Sequence, residues 1–237
     1  MTEALPNVVA IIPIRGGDPE TPGTGMVSIA GRPLLAYTLD AAKQSRYVRR
    51  TIVSTDDPGV AQLARALGAE APFLQPAALA GRSVPLGHVL QHAVRWLDEH
   101  SPDPVDLVAL LEITHPVRPP GLVDRVIEVV LNEQLDCAFG AREERHEFWT
   151  MDEDGALTRV RRREETPRTA LQPMYKEMGG LVTVMRAHVP RAGHRLGERV
   201  GVVPVRDPGS LVDLHDEDGM RLAELLLQTA PRTDHGR

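Results

Sequence analysis

The first residues that could do chemistry follow a short apolar run. Residues 8–14 end at Pro13-Ile14-Arg15-Gly16-Gly17, and Pro22, Gly23 and Gly25 lie just beyond. Glycine has no Cβ, so such a loop lets backbone N–H groups close on a ligand, and nests of this kind bind phosphates. The spacing fits neither G-x-G-x-x-G nor G-x-x-x-x-G-K-[ST], and the same glycines serve equally well as a plain turn. Asp56 and Asp57 close a second, β-branched run. They read as metal ligands or, through Asp57-Pro58-Gly59, as the start of a helix, and a cap is the reading adopted for Asp57. Thr114, Pro116 and Arg118 follow a third apolar run, residues 105–113, at the edge where open α/β sheets bind ligands. Arg118 suits the capping of a neighbouring helix just as well. His92, beside Ala93, reads as a core histidine, and Cys137, in an apolar stretch, as inert.

These groups need a scaffold of alternating strands and helices. Strands are expected at residues 8–14, 50–55, 72–74, 105–113 and 136–141, with helices at 33–42, 60–67, 84–97 and 122–131. Runs as dense as 8–14 and 105–113 cannot face water on one side, which specifies a mostly parallel sheet covered on both faces. From residue 142 to 168 the pattern becomes charged, and Met151-Asp152-Glu153-Asp154-Gly155-Ala156-Leu157 reads as a hairpin turn. We take this stretch as an inserted, more exposed lobe. Strand character returns at 180–185 and 200–205, an apolar helix follows at 220–227, and residues 231–237 read as a frayed tail.

Composition removes several classes of function. The chain has 237 residues, with 27 basic against 33 acidic side chains and a formal charge of −6. An acidic balance argues against non-specific nucleic-acid binding, which depends on Lys and Arg neutralising phosphates. No apolar run approaches the roughly 20 residues that span a bilayer, and the N-terminus lacks a signal-peptide pattern, so a cytoplasmic protein is expected. A single cysteine excludes an internal disulfide and a cysteine-based zinc site. Lys43 and Lys176 are the only lysines, so any bound anion must be held largely by arginine and backbone N–H groups.

The combination of blocks points further. Ile11-Ile12-Pro13-Ile14-Arg15-Gly16-Gly17, Ala30-Gly31-Arg32-Pro33-Leu34-Leu35-Ala36-Tyr37-Thr38, Val53-Ser54-Thr55-Asp56-Asp57 and Thr114-His115-Pro116-Val117-Arg118 resemble, in order, the signature blocks of the acylneuraminate cytidylyltransferases. These are the CMP-sialic acid synthetases and their relatives acting on other nonulosonic acids. The likeness continues through Phe148-Trp149, Arg168, Pro173-Met174-Tyr175, Gly179-Gly180 and Val212-Asp213-Leu214.

The resemblance implies an α/β, Rossmann-like nucleotidyltransferase (GT-A-like) sandwich. It would be a single domain, residues 1–237, with a dimerisation lobe at about 142–178. A sugar-acid hydroxyl would attack the α-phosphorus of CTP and release pyrophosphate, with Mg²⁺ on the phosphates and a second copy completing a homodimer. Positioning and charge neutralisation carry most of the rate in such transfers. On the same basis Arg15, Gly16, Gly17, Gly23, Ser54 and Asp56 would face the nucleotide, and Arg15 and Asp213 would be catalytic. Asp213 and His215 would hold the metal, and Glu112, Thr114, Arg118, Arg168 and Tyr175 would face the sugar acid.

Several positions depart from the family pattern. The two phosphate lysines usual after Arg-Gly-Gly are absent, and Asp18 and Glu20 put negative charge where a triphosphate would lie. Gln75 replaces a usual Arg, Arg82 an Asp, Glu112 a Gln and Met178 an Asn. The anion at Glu112 would repel an anionic acid and favour an amino-bearing one. The late Asp-Ile-Asp motif reads Asp213-Leu214-His215, where imidazole is a poorer partner for Mg²⁺ than a carboxylate. Two alternatives therefore stand beside the cytidylyl reading: transfer with another nucleotide or acceptor, and a catalytically degenerate relative that binds a nucleotide without turnover.

Overall fold

The computed structural model describes residues 5–16, 26–81, 83–160, 172–214 and 217–229. Gly17, Gly23, Arg168 and His215, like Asp18, Glu20 and Arg82, lie outside them. So does the expected tail.

The chain opens with β1 (Val8–Ile14), β2 (Ser28–Ile29), β3 (Arg32–Pro33) and α1 (Leu34–Lys43), followed by β4 (Val48–Thr55), α2 (Pro58–Ala66) and α3 (Leu86–His100). Next come β5 (Leu107–Leu110), α4 (Leu122–Asn132), β6 (Cys137–Glu144), and the hairpin β7 (Trp149–Met151) and β8 (Leu157–Arg159). The chain closes with β9 (Met174–Glu177), β10 (Thr183–Arg186), α5 (His188–Arg191), β11 (Val200–Pro204) and α6 (Glu217–Thr229). The main sheet runs β11-β6-β10-β5-β1-β4, and β9 pairs with β6 outside this path. β4, β1 and β5 are mutually parallel, β11 is parallel to β6, and β10 runs antiparallel between β5 and β6. The mostly parallel sheet expected from the apolar runs is present, with β10 reversed.

The core explains those runs. In β1, Val8, Ala10, Ile12 and Ile14 point into one cluster with α1, α2 and α4, whereas Val9 and Ile11 point into a second with α3 and α5. Side chains alternate across a strand, so a strand buried on both faces must be apolar at every position. Among the described residues no helix is long and apolar enough to cross a membrane.

Local chemistry sets the element ends. Asp57 caps α2, its Oδ1 accepting from the N–H groups of Gly59 (2.6 Å) and Val60 (3.2 Å), with Pro58 in the first turn. In the hairpin, the Asp152 carboxylate accepts from Asp154 and Ala156 N–H, and Gly155 takes the positive φ that closes the turn. The expected strand at 72–74 does not form. The chain on either side of it keeps isolated contacts to β4, through an Ile52–Glu70 bridge before it and a Gln75 N–H donated to Thr55 O after it, because Pro72 and Pro76 cannot donate to a ladder. β6 runs three residues past its expected end at 141 and carries the sheet into the lobe through its pairing with β9.

Candidate functional site

The parallel strands deliver their following loops to one edge. Ile14 is level with Thr55, and Ile11 with Leu110, so Arg15-Gly16, Asp56 and residues 111–114 leave the sheet side by side. The reversal of β10 brings Gly179 and Gly180 to the same edge, since Thr183 lies opposite Leu110. Asp213 arrives there after β11, where Leu214 N–H donates to Thr114 O. By connectivity the N-termini of α1, α3 and α4 all face this edge, where the helix dipole favours anions.

The turn after β1 is shaped by two aspartates. Gly16 N–H donates to Asp56 Oδ1 at 2.8 Å, and a Cβ on Gly16 would stand 2.7 Å from Asp57 Cβ. Gly16 is therefore required by close approach, and its N–H is engaged by Asp56. The Gly16 N–H that was expected to face a phosphate donates to Asp56 in this structure. Arg15 donates from Nη2 to Val84 O at 3.0 Å, which ties the turn to the segment entering α3.

Two other expected ligand contacts are replaced by internal ones. Ser54 is fully buried and its O and Oγ accept from Gln75 Nε2 at 2.7 and 3.0 Å, so it supports the end of β4. Arg118 donates to Leu181 O, Thr38 Oγ1, Glu112 O and Gly180 O, clamping α1, the end of β5 and the approach to β10. Desolvation pulls its pKa down to about 9, partly offset by Glu112, so it remains charged at neutral pH. The expected helix cap is not among the acceptors of those donors.

The remaining candidates divide. Thr114 is buried, with Oγ1 3.0 Å from His115 Nδ1. His115 lies 3.9 Å from Asp213 Oδ1, and the Asp213 side chain is 42% exposed. The imidazole fits only because residue 180 is glycine: a Cβ there would be 2.4 Å from His115 Nδ1. Glu112 is partly buried. Its charge is felt by Arg195, whose guanidinium is held above its usual range chiefly by a hydrogen bond to Glu177. A repulsive anion at 112 is thus faced by Arg195 and Arg118. Tyr175 is exposed on β9, opposite Glu143. The structure brings Arg15, Gly16, Asp56, Glu112, Thr114 and Asp213 to one edge and leaves Tyr175 on the lobe. His115, Gln75 and the Arg195–Glu177 pair were not singled out as partners of the site by sequence reasoning. The signals for His115 were its place in the Thr114–Arg118 block and the Gly179-Gly180 pair that makes room for it.

Among the described residues no group of three or more His, Cys, Asp or Glu is placed to hold a metal. Mg²⁺ commonly takes one or two carboxylates and completes its shell with phosphate oxygens and water, and the solvent-exposed carboxylate of Asp213 is of the type that mode uses.

The chain is similar in sequence and in fold to known proteins. The chain is 33% identical over 125 residues to the CMP-N,N'-diacetyllegionaminic acid synthase of Legionella pneumophila, covering 52% of each chain. It is 27% identical over 135 residues to a pseudaminic acid cytidylyltransferase of Campylobacter jejuni, covering 57% of this chain and 58% of that one. The chain thus spans about half the length of the curated relatives it matches. In fold it is similar to a CMP:2-keto-3-deoxy-manno-octonic acid synthetase solved with CTP. The TM-score is 0.66 at 18% identity, over 93% of this chain and 98% of the other. Residues 9–145, more than half the chain, match the family described as Cytidylyltransferase, and the chain belongs to that family.

Proposed function

We propose that this protein transfers CMP from CTP to a 2-keto-3-deoxy sugar acid of the sialic acid type. The acceptor hydroxyl oxygen forms a bond to the α-phosphorus and the bond from that phosphorus to the bridging oxygen breaks. Pyrophosphate leaves and the hydroxyl proton passes to water. The observation that supports this reading is the juxtaposition at one sheet edge of the Asp56-pinned turn at Arg15-Gly16 and the solvent-exposed Asp213 carboxylate beside Thr114.

In this reading Arg15 neutralises charge that builds on the phosphates, where a fixed cation is worth more than in water. The N-termini of α1 and α3 add positive potential without lysine, and Pro33 and Pro85 at their caps leave the first-turn N–H groups without a side-chain cap. Asp213 would hold Mg²⁺, with His215 as the further candidate; the bound ion would supply charge neutralisation on the phosphates. Arg168 is the proposed partner of the acceptor carboxylate, a fork suited to that group. The exposed apolar side chains of Trp149, Met151 and Leu157 on the β7–β8 hairpin support a lobe that pairs with a second copy. The cytoplasm is the proposed setting.

The test is pyrophosphate release with Mg²⁺, each nucleoside triphosphate and a panel of sugar acids. Release with CTP and a 2-keto-3-deoxy acid supports the reading, and release with another nucleotide or acceptor moves the specificity. Nucleotide binding with no release from any combination means a degenerate relative. Arg15→Ala is expected to abolish release with little loss of fold, and unchanged turnover in that variant would count against the site.

A further inference from the structure

The opposite edge of the sheet carries a second recess, a groove of about 590 Å³ between the start of β4 and the chain that leads into β5. That volume falls within the roughly 300–1,000 Å³ of small-ligand sites. β1 lies between β4 and β5. Strands are about 4.8 Å apart, so the two walls stand roughly 10 Å from each other, with the head of β1 between them. β1 has seven residues. At about 3.3 Å each they put the groove roughly 20 Å from Arg15, at the far end of the same strand.

The walls carry opposite charge. Arg49 and Arg50 stand on the β4 side, and Asp103 and Asp106 on the other. Arg50 is engaged within the fold: Nε and Nη2 donate to the Glu70 carboxylate at 2.8 and 2.7 Å, and Nη1 donates to Ser101 Oγ. Asp106 Oδ2 accepts from Asn7 N–H at 2.8 Å. The exposed Arg49 guanidinium and Asp103 carboxylate, by contrast, have no partner among the described residues and form no ion pair with each other.

The backbone fixes both walls. Val8 pairs with Val48 and Val9 with Arg50, so Arg49 is an extra residue without a counterpart on β1, and such a bulge re-aims a side chain. Across the groove, Asn7 ties the acidic wall to β1: its Nδ2 donates to Pro104 O at 2.9 Å and its O accepts from Asp106 N–H at 3.0 Å. Pro102 and Pro104 fix φ on either side of Asp103. A site held this way before binding has little ordering left to lose when a ligand enters.

We infer that this groove binds a compact zwitterion, an amino acid with an apolar carbon skeleton. The carboxylate takes the Arg49 fork, a geometry suited to that group. The ammonium meets Asp103, and Asp106 adds negative potential to the same wall. The skeleton lies on the prolines and on Leu5, which is 57% exposed. A simple anion would meet two carboxylates and a simple cation would meet Arg49, so neither matches both walls.

The experiment is calorimetric titration of the full chain with L-leucine and 5-aminopentanoic acid. Leucinamide, which lacks the carboxylate, and N-acetylleucine, which lacks the ammonium, serve as the single-charge controls. We expect millimolar or tighter binding of at least one zwitterion and binding of both controls weaker by about tenfold or more. Arg49→Ala and Asp103→Asn should each weaken the zwitterion by a similar factor, with Tm unchanged because both side chains are exposed. Saturating CTP and Mg²⁺ should leave its Kd unaltered, since the two sites lie at opposite ends of β1. No heat from either zwitterion at millimolar concentration, equal binding of the controls, unchanged affinity in both variants, or displacement by CTP overturns the inference. Pyrophosphate release plays no part in this test, so its outcome stands apart from that of the cytidylyl-transfer reading.

Discussion

Replacing Gly16 with alanine tests the proposed shape of the phosphate turn. The new Cβ would lie 2.7 Å from Asp57 Cβ and 3.1 Å from Asp57 Oδ2, inside any ordinary contact distance. Asp57 is not free to retreat, since its Oδ1 caps α2 through Gly59 and Val60 N–H, and the turn is held from the other side by Asp56. Overpacking of this kind costs about 1–3 kcal/mol, and loss of an aspartate cap about 1 kcal/mol more. A total of about 2–4 kcal/mol corresponds to a melting temperature lower by roughly 4–16 °C for a chain of this size. Scanning calorimetry gives that shift, and CTP titration of the folded variant reports the displaced turn as weaker binding. Asp57→Gly removes the opposing Cβ, so Gly16→Ala combined with it should cost less than the sum of the two single changes. A single variant that melts within 1 °C of wild type and binds CTP equally would refute the packing argument.

Three further outcomes are expected. Arg118→Met should destabilise the protein by about 2–4 kcal/mol, because the carbonyls of Glu112, Gly180 and Leu181 lose a charged donor, and an unchanged midpoint in urea would rule out the clamp. His92 has its pKa lowered by desolvation, and its Nδ1 is buried without a partner. The unfolded chain therefore binds a proton there more readily, so stability should fall as pH drops below the ordinary histidine value, and His92→Leu should flatten the dependence of Tm between pH 7 and 5. Asp213→Asn should raise the Mg²⁺ concentration needed for half-maximal pyrophosphate release; a lowered Tm with an unchanged Mg²⁺ requirement would leave the carboxylate a structural role only.

Periodicity and local chemistry carried most of the scaffold. The unbroken apolar run of β1 could be read as a strand buried on both faces because each successive side chain enters the opposite core. Asp57-Pro58-Gly59 was legible as a helix start, and the Asp152–Gly155 turn as a hairpin, because their hydrogen bonds close within a few residues. The failed strand at 72–74 shows the limit. A three-residue apolar stretch says little, and whether it pairs is decided by which N–H groups reach β4.

What the chain's order of residues determined alone was the set of buried strands, the turn chemistry and the family to which the spaced blocks point. The tertiary structure decided which polar groups have donors and acceptors left for a ligand. Ser54 and Arg118 belong to matching blocks, yet Gln75 and three backbone carbonyls, two of them from a distant segment, engage them. Asp213 and Gly180 stand 33 residues apart in number and still share His115 between them. Hydrogen-bond partners at such separations depend on how strands are ordered in the sheet, and no local pattern of side chains encodes that order.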